Sequence, residues 1–463
     1  MTDTFAVTTA RPGQVLRVGA ILAVASLPAV VFADAIPRAA ALWSLAEGTR
    51  PYWVVSEALL LYGLVPLVVL STIVLFLAPG LLLAIALGRG TSVPVWGLSA
   101  IPGSLLSTLL VLEVARRTLP ATADALPIGL LMLASMGCCI GLAAIMANRR
   151  RLPWPMAGVG DAWPIAAAAV AVVALYLALS PKFLWENFNG DGAHAFEASR
   201  LLLHQGWPFF PTSAGPVAGF PGTTSMLFAF PNAWFIRLFG PIEAAVRLPW
   251  LVYLPLVVLG IQALAEEGGR RLERRTQLAL WAGLLPFVFA MAFSASYSAY
   301  HADIALPGVQ DTLLVVTLLG YCHAMVRREW LWAGVFALLS YLGLPNGFLL
   351  MGFWLLAELA VMRPLPWRVI AGGLSLLVGC ILAAGAFGAM LAWTGQTPPG
   401  GEYGFSRTIV EVLRLDLTHW RRAVYLIVGG AGLPVAALFL WRRQDQTARR
   451  VTLLVLCYFA FFA

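Results

Sequence analysis

Residues 62–87, YGLVPLVVLSTIVLFLAPGLLLAIAL, decide the fold class of this chain. The stretch contains no Asp, Glu, Lys or Arg, and it is longer than the ~20 mostly apolar residues that a helix needs to cross a bilayer. Its apolar residues run continuously instead of alternating with polar ones, which excludes a membrane β-strand. The stretch therefore predicts a transmembrane helix.

Similar apolar stretches recur along the whole chain. They lie near residues 15–33, 94–113, 127–147, 163–181, 246–265, 277–293, 309–326, 330–344, 346–362, 369–393, 423–441 and from 450 onward. Together with residues 62–87 they predict an all-α polytopic membrane protein with about 13 transmembrane helices. The composition agrees, because 60% of the residues are hydrophobic and only 11% are charged, against roughly 25% charged residues in soluble domains.

The arginines predict the orientation of the chain in the membrane. The net charge is +8, but the basic residues stand in short clusters between apolar stretches, as the positive-inside rule describes for cytoplasmic loops. This pattern argues against nucleic acid as a partner. With the N-terminus in the cytoplasm, these clusters face the cytoplasm: Arg89, Arg149–Arg151, Arg270–Arg275, Arg327–Arg328, Arg363–Arg368 and Arg442–Arg450. Only Arg116-Arg117 falls on the other side.

This orientation predicts an integral, multi-pass protein of the bacterial inner (plasma) membrane. The external segments are then 34–60, 114–126, 182–245, 294–308 and 394–421. The first apolar run precedes Ala33-Asp34-Ala35, which resembles a signal-peptidase site. The run is a cleaved signal or a signal anchor, and the spans that follow at once favour the anchor.

Residues 149–161 divide the chain into two predicted regions. The segment is rich in Arg, Pro and Gly, which is typical of a linker. Residues 1–150 form a four-span region, and residues 151–463 form a second membrane module with the external loop 182–245. The chain stops within an apolar run at residues 461–463, so either the last span ends at the membrane surface or the chain is a piece of a longer protein.

The external loop 182–245 carries the most concentrated polar chemistry. Five ionisable residues stand within fifteen positions: Glu186, Asp191, His194, Glu197 and Arg200. Asp191 lies between two glycines and starts a predicted helix that runs to about Gln205. His194, Glu197 and Arg200 are three residues apart and share one polar stripe. We expect an amphipathic helix at the membrane surface, and a second surface helix over Ser225–Phe239.

The residues alone leave the roles of these side chains open. Asp191 caps the helix, a role worth about 1 kcal/mol, or it acts in catalysis or ligand binding. Glu197 pairs with Arg200 or Lys182, or it belongs to the site. Asp191 and His194 together offer too few ligands to name a metal.

Two further external loops bring polar residues to the same membrane face. His301 and Asp303 stand in the loop 294–308, and Arg407 and Arg414 stand in the loop 394–421. The predicted chemistry therefore converges on the external side of the membrane.

Residues 163–393 resemble the GT-C superfamily of membrane glycosyltransferases, in particular its protein-mannosyltransferase and aminoarabinose-transferase branches. The resemblance rests on NGDGAHAFEASRLL at residues 189–202, GWPF at 206–209, PNAW at 231–234 and LFGPIEAAVRLP at 238–249. The last segment is similar to a large–FG–x–x–E–x–x–x–R–L–P junction of those branches. The four spans before residue 150 are an addition to the family pattern.

The resemblance implies a transferase of the cell envelope that uses a polyprenyl-phosphate-linked sugar donor within membrane lipid. Its acceptor is a glycan, a lipid or a protein. By position Asp191 corresponds to the catalytic base, and Asp303 to a second acid. Substrate-binding candidates are His194, Glu197, Arg247, His301, Arg407 and Arg414. Some branches use a divalent cation (Mg²⁺ or Mn²⁺), and the sequence leaves this point open.

This chemistry suits the residue types. A carboxylate accepts the proton of the incoming hydroxyl, and the external arginines Arg247, Arg407 and Arg414 hold the leaving phosphate. Two other functions stay open: a transporter or flippase of lipid-linked sugars, which would place ionisable residues near the bilayer midplane, and a non-catalytic scaffold for envelope biogenesis.

Overall fold

The protein is described here by a computed structural model. It describes residues 8–9, 11–46, 54–89, 92–120, 125–149, 153–154, 163–179, 184–185, 196, 199–200, 202–203, 226–267, 277–278, 281, 309–343, 351–352, 355 and 367–394. Within these ranges the chain is helical apart from short turns, such as Leu184–Trp185, and one antiparallel pairing in which Thr8 lies opposite Trp154 and Thr9 opposite Pro153. The predicted all-α class is confirmed.

The helices follow the predicted apolar stretches closely. They are α1 Pro12–Val31, α2 Ala35–Ala46, α3 Val55–Leu59, α4 Val65–Ala86, α5 Val93–Thr118, α6 Ala125–Arg149, α7 Trp163–Leu179, α8 Met226–Phe239, α9 Glu243–Arg247, α10 Pro249–Glu267, α11 Val309–Arg327, α12 Trp330–Gly343 and α13 Trp367–Thr394. A π-helical turn, Leu60–Leu64, joins α3 to α4.

In the part of the chain that the structure describes, five helical segments are long and apolar enough to cross a membrane: Pro12–Val31, Val55–Ala86, Val93–Thr118, Ala125–Arg149 and Glu243–Glu267. Shorter apolar helices accompany them at Trp163–Leu177, Thr312–Arg327, Trp330–Leu342 and Ile370–Gly379. The chain is thus compatible with a membrane protein, but the predicted number of about 13 spans is not confirmed. The predicted spans at 277–293, 346–362, 423–441 and beyond 450 lie largely or wholly outside the described residues.

Packing between helices divides the chain into two compact units. The first comprises Met1–Phe209 with Thr224–Leu319, and the second comprises Phe210–Thr223 with Gly320–Ala463. The predicted boundary at residue 150 falls inside the first unit, and as a division of function it stays a prediction.

In the first unit, α4 and α5 cross at two glycines. A Cβ atom on Gly103 would lie 2.7 Å from the Cα atom of Gly80. A Cβ atom on Gly80 would overlap the carbonyl oxygen of Ala100 and lie 2.5 Å from the backbone nitrogen of Ser104. The Ser104 hydroxyl also donates to the carbonyl oxygen of Leu77 at 3.3 Å. The two backbones are therefore in direct contact, as small residues allow in membrane helices.

The π turn before α4 leaves one backbone carbonyl without its helical donor. In a π turn each carbonyl accepts from the N–H five residues later, and the residue five positions after Leu61 is Pro66, which has no N–H. The Tyr176 hydroxyl of α7 supplies the missing donor, at 2.8 Å from the Leu61 carbonyl oxygen. Tyr176 is buried, so this hydrogen bond satisfies a carbonyl that water does not reach.

Helix α4 ends at a glycine in the left-handed conformation. Gly88 has φ +71°, and the Arg89 N–H donates to the Ala84 carbonyl at 2.8 Å, which is a Schellman turn. The turn directs Arg89 toward α5, where its Nε donates to the Ser99 hydroxyl at 3.1 Å. Arg89 is only 4% exposed. This contact fixes the α4–α5 connection.

Residues 35–46 are helical, although the sequence predicted an external loop from 34 to 60. Ala35, Ile36 and Ala39 of α2 are buried. The helix was missed because it is only 12 residues long, shorter than a span, and because the exposed Asp34 precedes it and the exposed Arg38 interrupts its apolar residues.

The second unit packs α11, α12 and α13 through glycines. A Cβ atom on Gly320 would lie 2.5 Å from the ring carbon Cδ1 of Phe336. A Cβ atom on Gly379 of α13 would lie 2.9 Å from the Gly334 carbonyl oxygen of α12. Helix α11 ends in a second Schellman turn, in which Arg328 has φ +61° and the Glu329 N–H donates to the Ala324 carbonyl at 2.9 Å.

Candidate functional site in residues 226–267

Helix α8 was predicted to lie along the external surface, and its burial corrects that expectation. Of its side chains from Phe230 to Phe239, only Arg237 is partly exposed. Asn232 and Arg237 are its only polar residues, so it has no continuous polar face to present to water. Its 14 residues are too few to span a membrane, and it packs instead among the helices of the first unit.

The junction after α8 turns the chain sharply into α9. Gly240 has φ +89°, and its N–H donates to the Ile236 carbonyl at 2.8 Å. Glu243 stands in the first turn of α9, where a carboxylate is favoured by the helix dipole. The segment LFGPIEAAVRLP therefore forms a helix end, a glycine turn and a new helix, which together make an interrupted helix.

Arg247 is the one predicted site residue whose side chain the structure describes. It lies at the end of α9, directly before α10, and it is only 5% exposed. It stands at the start of the apolar segment Glu243–Glu267.

Buried polar atoms without a hydrogen-bond partner are concentrated in this segment. They belong to Asn232 and Trp234 of α8 and to Tyr253 and Gln262 of α10. Both amide atoms of Asn232 and both of Gln262 are unpartnered, and the two side chains are 0% and 1% exposed. Each unpartnered buried group lowers the free energy of unfolding by about 1–3 kcal/mol. The buried polar atoms of this segment therefore destabilise the fold.

Asn232 shares one face of α8 with two aromatic residues. Phe235 and Phe239 follow it at three and seven residues, which places the three side chains on one face of α8. The Phe235 and Trp234 rings lie 6.0 and 5.9 Å from the ring of Phe76, near the middle of α4. We call Phe76, Trp234, Phe235 and Phe239 the aromatic cluster. Sequence reasoning missed Asn232, although a single amide within an apolar helix was a visible signal.

The predicted amphipathic helix 191–205 is described at five positions: Phe196, Ser199, Arg200, Leu202 and Leu203, all of them helical. Ser199 and Leu202 are buried, whereas Arg200 is exposed. Phe196 and Leu203 are half-buried, and the two-sided character of the helix stays a prediction.

The remaining predicted site residues lie outside the described residues: Asp191, His194, Glu197, His301, Asp303, Arg407 and Arg414. Their convergence on one site therefore stays a prediction. Among the residues that the structure does describe, no group of three or more His, Cys, Asp or Glu side chains could hold a metal ion.

The basic pair that opposed the predicted orientation is tied to an acid. Glu113 binds Arg116 through two hydrogen bonds of 2.9 and 3.0 Å and Arg117 through one of 2.6 Å. These pairs extend α5 to Thr118, beyond the predicted end at residue 113. Arg237 of α8 donates to the Pro120 carbonyl just after α5, so three arginines gather at this end of the helix.

Comparison with protein-family profiles, curated proteins and solved structures finds no match to this chain.

Proposed function

We propose that this protein is a glycosyltransferase that moves a sugar from a polyprenyl-phosphate-linked donor to an acceptor at the external face of a bacterial inner membrane. Asp191 is the proposed base, which accepts the proton of the acceptor hydroxyl as the sugar transfers. Arg247 is proposed to hold the phosphate of the leaving lipid. In this orientation the N-terminus lies in the cytoplasm.

The observation that carries the proposal is the pairing of two sequence segments. The acidic segment NGDGAHAFEASRLL lies ahead of the junction LFGPIEAAVRLP, and the only arginine of the junction is buried. An arginine withdrawn from water at the edge of an apolar helix is suited to a lipid-linked phosphate, because it pairs with an anion more strongly where water is scarce.

The first experiment measures transfer of label from radiolabelled polyprenyl-phosphate sugars in purified membranes. We expect Asp191→Asn to abolish transfer while Asp34→Asn, a change of the same kind at an exposed aspartate, retains it. Both variants are checked for expression and for folding. Full transfer by a folded Asp191→Asn protein would refute the role of Asp191, and no transfer by the wild type from any donor would refute the enzyme.

A transporter or flippase of lipid-linked sugars is the second candidate, and one observation favours it. The interrupted helix α8–α9–α10 breaks at Gly240 and carries the buried, unpartnered amide of Asn232 about two helical turns before the break. Transporters place binding groups at such breaks near the bilayer midplane.

Reconstitution in vesicles separates the two candidates. A fluorescent polyprenyl-phosphate sugar is inserted in both leaflets, and an impermeant reagent reads the outer leaflet. Reagent access to more than half of the label would require flipping. Access to half of it, together with transfer in membranes, would support the glycosyltransferase.

A further inference from the structure

We propose that the exposed side of α5, near its C-terminal end at Thr118, binds an anionic phospholipid. The lipid phosphate lies on Arg116 and Arg117, and one acyl chain follows an apolar stripe along the same helix. The site is separate from the residues proposed for sugar transfer and does not depend on that function. It accounts for the one basic pair that the positive-inside pattern leaves unexplained.

The two arginines are held together by a single carboxylate. Glu113 accepts hydrogen bonds from Nε and Nη2 of Arg116 at 3.0 and 2.9 Å and from Nε of Arg117 at 2.6 Å. These bonds position both guanidinium groups, while the side chains of Arg116 and Arg117 stay 42% and 60% exposed. Arg116 keeps the donors of its Nη1, so a second anion can bind without displacing the carboxylate.

Positive charge exceeds negative charge at this end of α5. Two arginines and one glutamate leave the group 113–117 with a net charge of +1. Arg237 of α8 adds a third guanidinium, which donates to the carbonyl oxygen of Pro120. Guanidinium groups bind phosphate oxygens through paired, charge-assisted hydrogen bonds. Charge complementarity therefore favours an anionic headgroup over a zwitterionic one.

An exposed apolar stripe leads along α5 to the arginines. It consists of Leu106, Leu110 and Val114, which are all exposed and stand four residues apart on one side of the helix. Arg117 follows Val114 by three residues and continues the same side. Val111, between two members of the stripe in the sequence, is buried. The stripe is thus a narrow lipid-facing surface on a helix that is otherwise largely packed.

The length of the stripe matches the depth of one membrane leaflet. The helix rises about 16–17 Å from Leu106 to Arg117 at ~1.5 Å per residue, and half of a ~30 Å hydrocarbon core is about 15 Å. With Arg117 at the level of the headgroups, Leu106 lies near the bilayer midplane, so an acyl chain can follow the whole stripe. A free phosphate would leave the stripe unused. The alignment of charge and stripe therefore favours a phospholipid.

Arg11 and Arg17 at the start of α1 provide a matched control. Both are exposed, and no acidic residue lies between them in the sequence. Replacement of either arginine pair by glutamine removes the same amount of charge. A general attraction between a basic protein and anionic lipid would therefore weaken equally in the two double variants.

The experiment measures lipid binding by native mass spectrometry of the purified, delipidated full chain. The probes are phosphatidylglycerol and phosphatidylcholine with the same acyl chains, and polyprenyl phosphate and inorganic phosphate serve as competitors. We expect the wild type to bind phosphatidylglycerol more tightly than phosphatidylcholine. Arg116→Gln/Arg117→Gln should lose about tenfold in affinity for phosphatidylglycerol, with its affinity for phosphatidylcholine unchanged. Arg11→Gln/Arg17→Gln should keep the wild-type preference.

A charge-preserving variant covers the case in which the glutamine pair does not fold. Arg116→Lys/Arg117→Lys keeps both charges but cannot bind a phosphate through a planar pair of donors. It should bind phosphatidylglycerol less tightly than the wild type and still prefer it to phosphatidylcholine. Loss of that preference in the folded lysine variant would contradict a site held by charge.

Four other results would overturn the inference. Equal affinities of the wild type for the two phospholipids would remove the site. Equal losses in the two glutamine double variants would show only a general attraction. Displacement of phosphatidylglycerol by inorganic phosphate would indicate an anion site without an acyl chain. Tighter binding of polyprenyl phosphate at Arg116 and Arg117 would replace the phospholipid by the proposed donor lipid.

Discussion

Two helical hairpins of this protein use the same turn but different packing. In the first unit, α4 ends at Gly88 and α5 follows; in the second, α11 ends near Arg328 and α12 follows. Both turns close with the same hydrogen bond, from the residue after the left-handed one to a carbonyl five positions back. The first pair of helices meets backbone against backbone at Gly80, whereas Gly320 meets the ring of Phe336.

The comparison shows that a glycine in a helix pair can make room for either of two neighbours, a backbone or a side chain. A backbone atom cannot move away from a new methyl group unless the whole helix shifts, but a ring can turn or tilt. Gly80 therefore fixes the separation of two helices, while Gly320 shapes the space for one side chain. Nothing in the sequence distinguishes the two glycines, but replacing each by alanine should lower the free energy of unfolding by different amounts.

The largest loss of stability is expected when Gly80 or Gly320 is replaced by alanine. Gly80→Ala should destabilise the protein by about 3 kcal/mol or more, because its Cβ would overlap the Ala100 carbonyl. Gly320→Ala should cost about 1–2 kcal/mol, since Phe336 can adjust. The free energy of unfolding in detergent, measured with denaturant, tests the order.

Gly141→Ala on α6 is the control for both changes. Nothing lies within 4 Å of a Cβ atom at that position, so the gain in helix propensity should stabilise the protein by up to about 1 kcal/mol. Equal costs at Gly80 and Gly320 would contradict the distinction between backbone and side-chain contact.

A smaller loss of stability is expected when the partners of the two turn arginines, Arg89 and Arg327, are changed. Ser99→Ala removes the acceptor of the buried Arg89 Nε and should cost about 1.5–3 kcal/mol. Glu329→Gln weakens its 2.9 Å ion pair with Arg327, in which both side chains are 30% exposed, and should cost less than about 1 kcal/mol. Thr108→Val is the control, because that hydroxyl bonds only within its own helix. A larger loss at Glu329 than at Ser99 would reverse the expected order.

The smallest effects, with opposite signs, are expected at the left-handed residues. Gly88→Ala introduces a side chain at φ +71° and should cost about 1 kcal/mol, whereas Arg328→Gly relieves a side chain at φ +61° and should gain a similar amount. Thermal unfolding of both variants provides the measurement. Arg328→Ala removes the charge but keeps the left-handed side chain, so it should not reproduce the gain of glycine; if it does, charge and not conformation decides the effect.

The positions of the helices could be predicted because each helix depends on the residues within its own stretch of sequence. A continuous apolar run such as residues 65–86 reveals its span without any partner, and Gly88 marks its end. Helix α8 shows the limit of this reasoning. Its apolar sequence predicted a helix correctly, but whether it lies on the surface or inside depends on Phe76 and other residues far away in the sequence.

The site was less predictable than the fold. Arg247 was recognised from the junction that contains it, but its burial depends on surrounding helices that no local pattern reports. The unpartnered amide of Asn232 could not be predicted, because only the fold shows which side chains lack a hydrogen-bond partner. The contact between Gly80 and Gly103 was likewise hidden, since a span contains many small residues and the sequence does not say which ones touch.

The π turn at residues 60–64 also determines where this helix can change length. A residue removed from the middle of α4 would rotate everything before it by about 100° and carry buried side chains to the outside. A π turn already holds one residue more than an α-helical turn. Loss of Gly63, which has nothing within 4 Å of a Cβ position, would return the turn to α-helical spacing and leave both packed faces where they are. The π turn thus gives the segment Val55–Ala86 one point at which evolution can add or delete a residue.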